Sequence, residues 1–277
     1  MSLEFTDSEI RRYSRHILLE EVGGAGQAKL KAASVLIVGA GGLGSPLLLY
    51  LAAAGVGRIG IVDDDVVDIS NLQRQIAHDT VSIGLPKVES AAASARALNP
   101  GTVVEPYQLR LGSGNILQLI ENYDIVCDGT DNFPSRFLVA DACVLARKTL
   151  VTAAVLRFEG QLSVFKPHVR DPEGRHYPCY RCLYPEPPPP GLVPTCAEAG
   201  VLGAVTGVMG TLQATEVLKE VLGIGDTLAG RLLVWDALAT RFRGVRLPAD
   251  PNCASCGPHA TLRDLSRHED RGPVCAV

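Results

Sequence analysis

The chain of 277 residues lacks an excess of positive charge. Its 26 Lys and Arg residues are outnumbered by 30 Asp and Glu residues, which gives a formal net charge of −4, and only six of the basic residues are lysines. This balance disfavours an extended surface for polyanions such as nucleic acids. It favours local sites at which arginine recognises an anion by geometry.

The sequence also lacks the apolar stretches typical of secretory signals and membrane spans. Residues 1–15 carry acidic and basic side chains and contain no apolar core,. Residues 32–57 contain no charged side chain, but Pro46 and several glycines interrupt the stretch, so we expect a strand and a buried helix there,. These features predict a cytoplasmic protein.

A glycine-rich turn follows the first apolar strand. Such a turn permits close backbone approach to a phosphate, and the helix that follows offers free N–H groups to an anion. A second apolar strand runs into Asp63, 24 positions after Gly39, where a ribose-binding acid is expected,. These features fit NAD and ATP equally. The candidate nucleotide-binding residues of the turn are Gly39, Gly41, Gly42 and Gly44.

Charged residues further along the chain favour ATP over NAD. Fixed cations and additional carboxylates suit a triphosphate and its Mg²⁺, whereas a positively charged nicotinamide prefers apolar walls. Solvated surface charges are the alternative for Arg74 and Lys87, and a place near a helix N-cap is the alternative for Asp131. The candidate residues in this group are Asp63, Asp65, Asn71, Arg74, Lys87 and Asp131.

Eight cysteines occur in the chain, and four of them form two C-x-x-C pairs. Each pair lets one turn present two thiolates to a tetrahedral ion, which predicts a Zn²⁺ site that joins two distant segments. A redox-active pair is the alternative, but two pairs favour a structural zinc with no open position. Cys127 and Cys143 lie in apolar contexts and are expected to be buried. The predicted zinc ligands are Cys179, Cys182, Cys253 and Cys256.

Cys196 has a different context. The run Thr195-Cys196-Ala197-Glu198 has capping-box spacing, which would place Cys196 in the first turn of a helix that reaches Leu222,. A helix N-terminus lowers the pKa of a thiol, so Cys196 is a candidate catalytic thiolate. A small buried cysteine near the start of a glycine- and alanine-rich helix is the alternative.

Strand and helix patterns alternate in the first part of the chain, after an N-terminal helix that begins with a capping box at Thr6 and carries Arg15,. The strands are predicted near 34–38, 58–63, 102–107, 124–128 and 149–154, and the helices near 45–55, 86–98, 115–121 and 134–147. This alternation predicts an α/β fold of the Rossmann type, with a mostly parallel sheet and helices on both faces.

The pattern changes after Gly160. Short strands near 161–166, 231–236 and 241–246 predict an antiparallel continuation of the sheet, and an apolar helix is predicted near 198–222,. Several prolines exclude a regular helix or a central strand from 167–195, which is expected to form an irregular crossover.

In combination, these motifs resemble one family, the MoeB/ThiF-type adenylyltransferases, which are bacterial relatives of ubiquitin-activating enzymes. The resemblance covers about residues 5–257. It is carried by Arg12-Tyr13-Ser14-Arg15, the glycine turn, Asn71 to Gln75, Lys87, Thr130-Asp131-Asn132, the two cysteine pairs and the run from Thr195 to Gly200.

The resemblance implies a homodimer that binds a small ubiquitin-fold sulfur carrier and adenylates the carboxylate of its terminal Gly-Gly with ATP. A sulfurtransferase or cysteine desulfurase is then an expected partner, whereas nucleic acid and membrane are not. Asp63 would hold the ribose, Arg74 and Lys87 the triphosphate, and Asp131 the magnesium, while Arg15 would reach across the dimer into the partner's site. The cysteine that matches Cys196 is used covalently in some family members and is dispensable in others.

The resemblance also implies a division of the chain. We expect one adenylating domain over 1–257, composed of an N-terminal helical arm (1–30), a nucleotide-binding half (31–155) and a carrier-binding and zinc half (156–257), followed by a tail (258–277). Three other functions remain open: a tRNA-modifying dehydratase of the same superfamily, an NAD-dependent oxidoreductase, and a non-catalytic scaffold for a ubiquitin-like protein.

Overall fold

The computed structural model describes residues 5–189, 192 and 199–268. One eight-stranded sheet runs through the molecule, and its strand order is β3-β2-β1-β4-β5-β6-β7-β8. The strands are β1 (Ser34–Val38), β2 (Arg58–Val62), β3 (Val103–Tyr107), β4 (Ile125–Asp128), β5 (Thr149–Leu156), β6 (Glu159–Phe165), β7 (Arg231–Asp236) and β8 (Arg241–Arg246).

The first five strands are parallel, and the last three continue the sheet in antiparallel fashion. The chain leaves β1 in one direction towards β2 and returns to pair β4 on its other side. This reversal of strand order between β1 and β4 creates the crevice at which open α/β sheets bind their ligands. The expected parallel sheet with an antiparallel continuation is confirmed.

Helices cover both faces of the sheet, as its two buried clusters show. One cluster includes Leu47, Val88 and Met209, and the other includes Phe137, Leu150 and Phe165. The helices are α1 (Asp7–Ile17), α2 (Gly23–Ala32), α3 (Gly44–Ala54), α4 (Lys87–Leu98), α5 (Ile116–Ile120), α6 (Phe133–Leu145), α7 (Tyr180–Leu183) and α8 (Gly203–Leu222). No helix in the described part of the chain is long and apolar enough to span a membrane.

Helix α1 is anchored at both ends. Thr6 and Glu9 form the predicted capping box, in which the side chain of each accepts from the backbone N–H of the other. Near the other end, the buried Tyr13 accepts a hydrogen bond of 2.9 Å from the Asn99 amide. This contact fixes α1 against the segment that follows α4.

The sequence-based bounds agree with the structure within two residues for most elements, but the start of the long helix is wrong. α8 begins at Gly203, whereas the prediction began it near 198. Gly200 has a φ of +75°, in the left-handed region, and Val201 forms a β-bridge with Arg157, so α8 does not extend back through these residues. Cys196 lies outside the described residues, so its activation by a helix N-terminus stays a prediction.

Candidate functional site

A cleft of about 1470 Å³ opens at the carboxyl ends of the parallel strands. It begins at the glycine turn after β1, passes the ends of β2 and β4, and continues along β5 to β7. The sequence-predicted residues that line it are Gly39, Gly41, Gly42, Asp63, Asp65, Arg74, Lys87 and Asp131. The parallel half of the sheet therefore brings most of the candidate site together.

The glycine turn is required by close backbone packing. Gly39 has a φ of +98°, a conformation that favours glycine,. A Cβ atom at Gly44 would lie 1.9 Å from the Gly39 carbonyl oxygen, so only glycine fits at this first position of α3. Gly41 faces the cleft with room beside it, because the nearest neighbour of a Cβ at this position would be the Gln75 amide nitrogen, 3.7 Å away.

Asp63 supports the turn directly. Its Oδ2 accepts a hydrogen bond of 2.8 Å from the Ala40 N–H, and its Oδ1 accepts one of 2.9 Å from the Asp65 N–H. Asp65 in turn accepts a 2.7 Å hydrogen bond from Lys87 Nζ, whose side chain is only 8% exposed. Asp63, the predicted ribose ligand, and Lys87, the predicted phosphate ligand, are thus linked through Asp65.

Arg74 donates to the Ser70 carbonyl and contributes a half-buried cation to the cleft. Asn71 instead accepts from the Asp68 N–H as the second member of the capping box of a short 3₁₀ turn, and it is not among the residues that line the cleft. Arg15 is exposed on α1 and is also absent from the lining. Neither residue reaches the cleft of its own chain, so the geometry of a single chain does not support a nucleotide role for them.

Asp131 projects from the loop between β4 and α6. It is exposed, and its carboxylate accepts only a long hydrogen bond of 3.5 Å, from the Asn132 amide. Asn132, rather than Asp131, is the N-cap of α6, because its side chain accepts from the Ser135 N–H. The carboxylate oxygens of Asp131 therefore remain available to a cation, as magnesium requires.

A buried network lies beneath this loop. The carboxylate of Asp128 is completely buried and accepts from the Thr130 N–H, the Thr130 hydroxyl and the Thr152 hydroxyl at 2.9, 2.6 and 2.6 Å. The guanidinium of Arg136 lies 3.2 Å from Asp128 Oδ2 and donates to the Thr130 carbonyl at 2.6 Å. Burial disfavours the charge of Arg136, but the neighbouring Asp128 carboxylate holds the arginine's pKa above its ordinary value.

Four thiols meet beside Tyr180 and Arg181, two residues that line the cleft. The Sγ atoms of Cys179 and Cys253, and those of Cys182 and Cys256, are 3.5 Å apart, and all four lie within 4.8 Å of one another. Tetrahedral zinc with bonds of about 2.3 Å requires sulfur separations of about 3.8 Å, whereas a disulfide requires about 2.0 Å. The separations fit a zinc ion and exclude a disulfide.

Helix α7, which lies between Cys179 and Tyr184 and carries Cys182, is tied to helix α6. Arg181, which lies between Cys179 and Cys182 in the sequence, forms a bidentate ion pair with the buried Asp141, and both hydrogen bonds are 2.8 Å long. His268, in the C-terminal segment, contacts the same carboxylate at 2.8 Å. Burial disfavours ionisation of Asp141, but His268 and Arg181 hold its pKa below the ordinary value.

The sequence model of the ThiF family matches residues 13–255. The chain belongs to the ThiF family. Curated relatives include the sulfur carrier protein adenylyltransferase of Thermus thermophilus, which is 50% identical over 96% of this chain and 98% of the relative. The adenylyltransferase and sulfurtransferase MOCS3 of Bos taurus is 53% identical over 94% of this chain but only 56% of its own length.

Another relative in the ThiF family is the probable adenylyltransferase/sulfurtransferase MoeZ of Mycobacterium tuberculosis, which is 52% identical over 88% of this chain and 62% of its own length. Among solved structures, E. coli MccB with MccA-N7isoASN superposes with a TM-score of 0.77 at 21% identity, covering 92% of this chain and 76% of that one. E. coli MccB with ATP gives a TM-score of 0.75 at 22% identity, over 88% and 74% of the two chains. These two structures support the fold.

Sequence reasoning missed two residues of this region, one in the cleft and one that supports the glycine turn. Gln75 is 4% exposed and lines the cleft, and its side-chain oxygen has no partner among the described residues. His78 is also buried and contacts the Ala40 carbonyl with Nε2 and the Ser90 hydroxyl with Nδ1, each at 3.0 Å. Both residues follow Arg74 closely, but their inward orientation depends on the path of a loop that no periodicity describes.

Proposed function

We propose that this chain is an ATP-dependent adenylyltransferase that activates the C-terminal glycine carboxylate of a small ubiquitin-fold sulfur carrier protein. The observation that carries the proposal is the convergence of Asp63, Arg74, Lys87 and Asp131 on one glycine turn in a ThiF-family chain. The Thermus relative, similar over nearly its whole length, carries that activity in its name.

The chemistry needs alignment and charge neutralisation more than proton transfer. A C-terminal carboxylate has a pKa of about 3.5 and is already ionised at neutral pH, so its oxygen can attack the α-phosphorus of ATP without a general base. Pyrophosphate leaves, and an acyl adenylate forms. Arg74 and Lys87 offset the repulsion between the two anions and stabilise the negative charge of the leaving group.

Bound Mg²⁺ would neutralise phosphate charge during this step. Asp131 is the residue that would hold it, because its exposed carboxylate has no strong hydrogen-bond partner among the described residues. Asp63 would hold the ribose with lone pairs that its backbone hydrogen bonds leave free. The four thiols would hold a structural Zn²⁺ that joins α7 to the segment around Cys253,.

The second half of the cleft suits an extended peptide tail. Beyond the nucleotide end, its lining continues over Ala154, Leu156, Gln161 and Leu232, from strands β5 to β7. These small, apolar and amide side chains offer contacts to a flexible tail. The carrier's tail would lie along these strands and bring its terminal carboxylate to the phosphate end.

A homodimer completes the proposal. Arg15 is exposed, lies outside the cleft of its own chain and has no ion pair among the described residues. In a dimer, this arginine would add a cation to the partner's site. The activated carrier would then receive sulfur from a sulfurtransferase or cysteine desulfurase. The names of MOCS3 and MoeZ include a sulfurtransferase activity.

The test is carrier-dependent exchange between ATP and radioactive pyrophosphate, measured with Gly-Gly-ended ubiquitin-fold proteins from the same genome. We expect exchange with at least one carrier and none without a carrier. Asp131→Ala should reduce the exchange rate by at least about 100-fold, because phosphate charge is then poorly neutralised. ATP binding without exchange with any carrier would contradict the proposal and would favour a scaffold or a tRNA-modifying enzyme.

A further inference from the structure

The carboxylate of Asp131 is exposed, and its only hydrogen bond within the described residues is the 3.5 Å contact with Asn132. Its own side-chain contacts therefore do not determine where it lies. The backbone on its N-terminal side is fixed much more firmly. Both polar groups of the Thr130 backbone are bonded to buried charges: the N–H donates to Asp128 at 2.9 Å, and the carbonyl accepts from Arg136 at 2.6 Å.

These two buried charges are themselves fixed by the sheet. Thr152 on β5 donates to the Asp128 carboxylate, and Arg136 also reaches the Ala153 carbonyl at 3.4 Å. On the other face, the Gln213 amide of α8 donates to the carbonyls of Asp128 and Val151 at 2.9 Å each. The ends of β4 and β5 and the start of α6 therefore hold Thr130 in one position.

We propose that Arg136, together with Asp128, is a positioning residue that sets where the Asp131 carboxylate presents itself to a divalent cation. This inference rests on the proposed function, because it assumes that Asp131 is the metal ligand. Arginine suits the task better than lysine, since one guanidinium can reach a carboxylate and two carbonyls at once. Residues that orient a metal ligand typically change metal affinity by about 10- to 100-fold when they are replaced.

The test measures binding of Mn²⁺ with α,β-methylene-ATP, using electron paramagnetic resonance, to variants of the whole chain. Arg136→Lys keeps the positive charge opposite Asp128 but loses the planar guanidinium whose several N–H groups reach the two carbonyls. We expect Arg136→Lys to weaken Mn²⁺ binding by about tenfold while the protein remains folded. Thr152→Val removes only one hydrogen bond to Asp128 and should produce a smaller shift in the same direction.

The matched control is Glu220→Gln. Glu220 and Lys166 form an ion pair of similar burial, with both carboxylate oxygens 2.8 Å from Nζ, and neither residue lines the cleft. Loss of this pair should lower stability without altering Mn²⁺ affinity. If Glu220→Gln weakened Mn²⁺ binding as much as Arg136→Lys, the effect would be general destabilisation and the inference would be overturned.

A double variant shows whether Arg136 acts through Asp131. In the Asp131→Ala background, Arg136→Lys should cause no further loss of Mn²⁺–nucleotide affinity, because the carboxylate that it positions is gone. An additional tenfold loss there, or wild-type Mn²⁺ affinity in both Arg136→Lys and Thr152→Val, would overturn the inference. If Asp131→Ala itself bound Mn²⁺ normally, the proposed role of Asp131 would fail first.

Discussion

At the scale of single residues, Gln75 has an incomplete hydrogen-bonding environment in the cleft. Its side-chain oxygen is buried and has no hydrogen-bond partner among the described residues. A buried polar atom without a partner costs about 1–3 kcal/mol of stability. Gln27 provides a contrast, because its oxygen contacts His16 and its nitrogen donates to the Ala54 carbonyl. We infer that the Gln75 side chain hydrogen-bonds a ligand bound in the cleft, whereas Gln27 has a structural role.

Gln75→Leu should therefore separate stability from binding. We expect its free energy of unfolding to equal or exceed that of the wild type by up to about 1 kcal/mol, since the unpaired oxygen is removed. Its affinity for ATP should fall by about tenfold, as measured by isothermal titration calorimetry. Gln27→Leu should show the reverse, with lower stability and unchanged ATP affinity. Unchanged ATP binding by Gln75→Leu would contradict the assignment.

His78 supports the glycine turn in its neutral form. A carbonyl can only accept, so Nε2–H donates to Ala40, and neutral Nδ1 accepts from the Ser90 hydroxyl,. Burial, the largest effect, lowers the pKa of His78. At this histidine the unfolded chain binds more protons than the folded protein between the lowered pKa and the ordinary value of about 6.5, so stability falls as the pH drops from about 6.5 towards the lowered pKa.

His78→Gln should remove this dependence, because an amide N–H can reach the Ala40 carbonyl but does not titrate. Urea unfolding at pH 7.5 and at pH 5.5 should show a larger loss of stability for the wild type than for His78→Gln. His16→Gln is the control, since His16 is more exposed and lies on α1, away from the turn. Parallel pH curves for the wild type and His78→Gln would refute this account.

The sequence predicted some residues of the site better than others. Gly39 and Asp63 follow β1 and β2 directly, so a strand pattern is enough to place them at the sheet edge. Asn71 illustrates the limit, because Arg74 and Gln75 reach the cleft while the Asn71 side chain bonds back to the Asp68 N–H in a 3₁₀ turn. The orientation of side chains in a loop depends on local hydrogen bonds that spacing alone does not reveal.

At the scale of elements, the turn α7 connects the four-thiol cluster to helix α6. Tyr180 packs edge-on against Phe137 of α6 and Phe165 of β6, with ring centroids 5.2 and 5.7 Å apart. The ion pair between Arg181 and Asp141 adds a buried polar contact beside these rings. A metal that fixes α7 would therefore also stabilise the packing of α6.

Cys256→Ser should reduce the zinc content of the purified protein well below one ion per chain, because three thiolates and a hydroxyl bind zinc less tightly. Hydrogen–deuterium exchange should become faster around residues 180–185, at the far side of the cluster. Cys143→Ser, which alters a buried cysteine outside the cluster, should keep its zinc. A full complement of zinc in Cys256→Ser would refute the four-thiol site.

The long helix α8 shows why an element's start is difficult to predict. A capping-box pattern at residues 195–198 suggested a start that lies before the true one at Gly203. The backbone at Gly203 packs so closely on Gln73 that a Cβ would lie 2.1 Å from the Gln73 carbonyl oxygen. This contact joins residues far apart in the sequence, and local propensity contains no information about it.

At the scale of the whole molecule, the loop between β2 and α4 exposes an unusual number of apolar side chains. Val66, Ile69, Val81 and Leu85 are 50%, 70%, 90% and 51% exposed. Contiguous exposed apolar surface commonly marks a protein interface. This loop also carries Arg74, so an interface there would place a second subunit close to the phosphate end of the cleft.

A mixing experiment tests whether Arg15 acts across such a dimer. Arg15→Ala and Lys87→Ala should each be inactive in carrier-dependent pyrophosphate exchange. After subunit exchange in an equal mixture, half of the dimers are mixed and each contains one intact site, so about one quarter of wild-type activity should return. Mixing Lys87→Ala with Asp131→Ala is the control and should restore nothing, since both changes lie in the same chain's cleft. Failure of the first mixture to recover activity would contradict the trans arrangement.

The placement of β4 beside β1 also has a consequence for synthesis. β1 ends at Val38, but the strand that completes its second edge begins only at Ile125. At about 5–20 residues per second, a ribosome needs roughly 4–17 s to make the intervening chain. During that interval the nascent protein carries an open parallel edge, which is a template for pairing with other chains. A pause in translation before β4 is made would therefore lengthen the time for which the edge of the future crevice stays open to such pairing,.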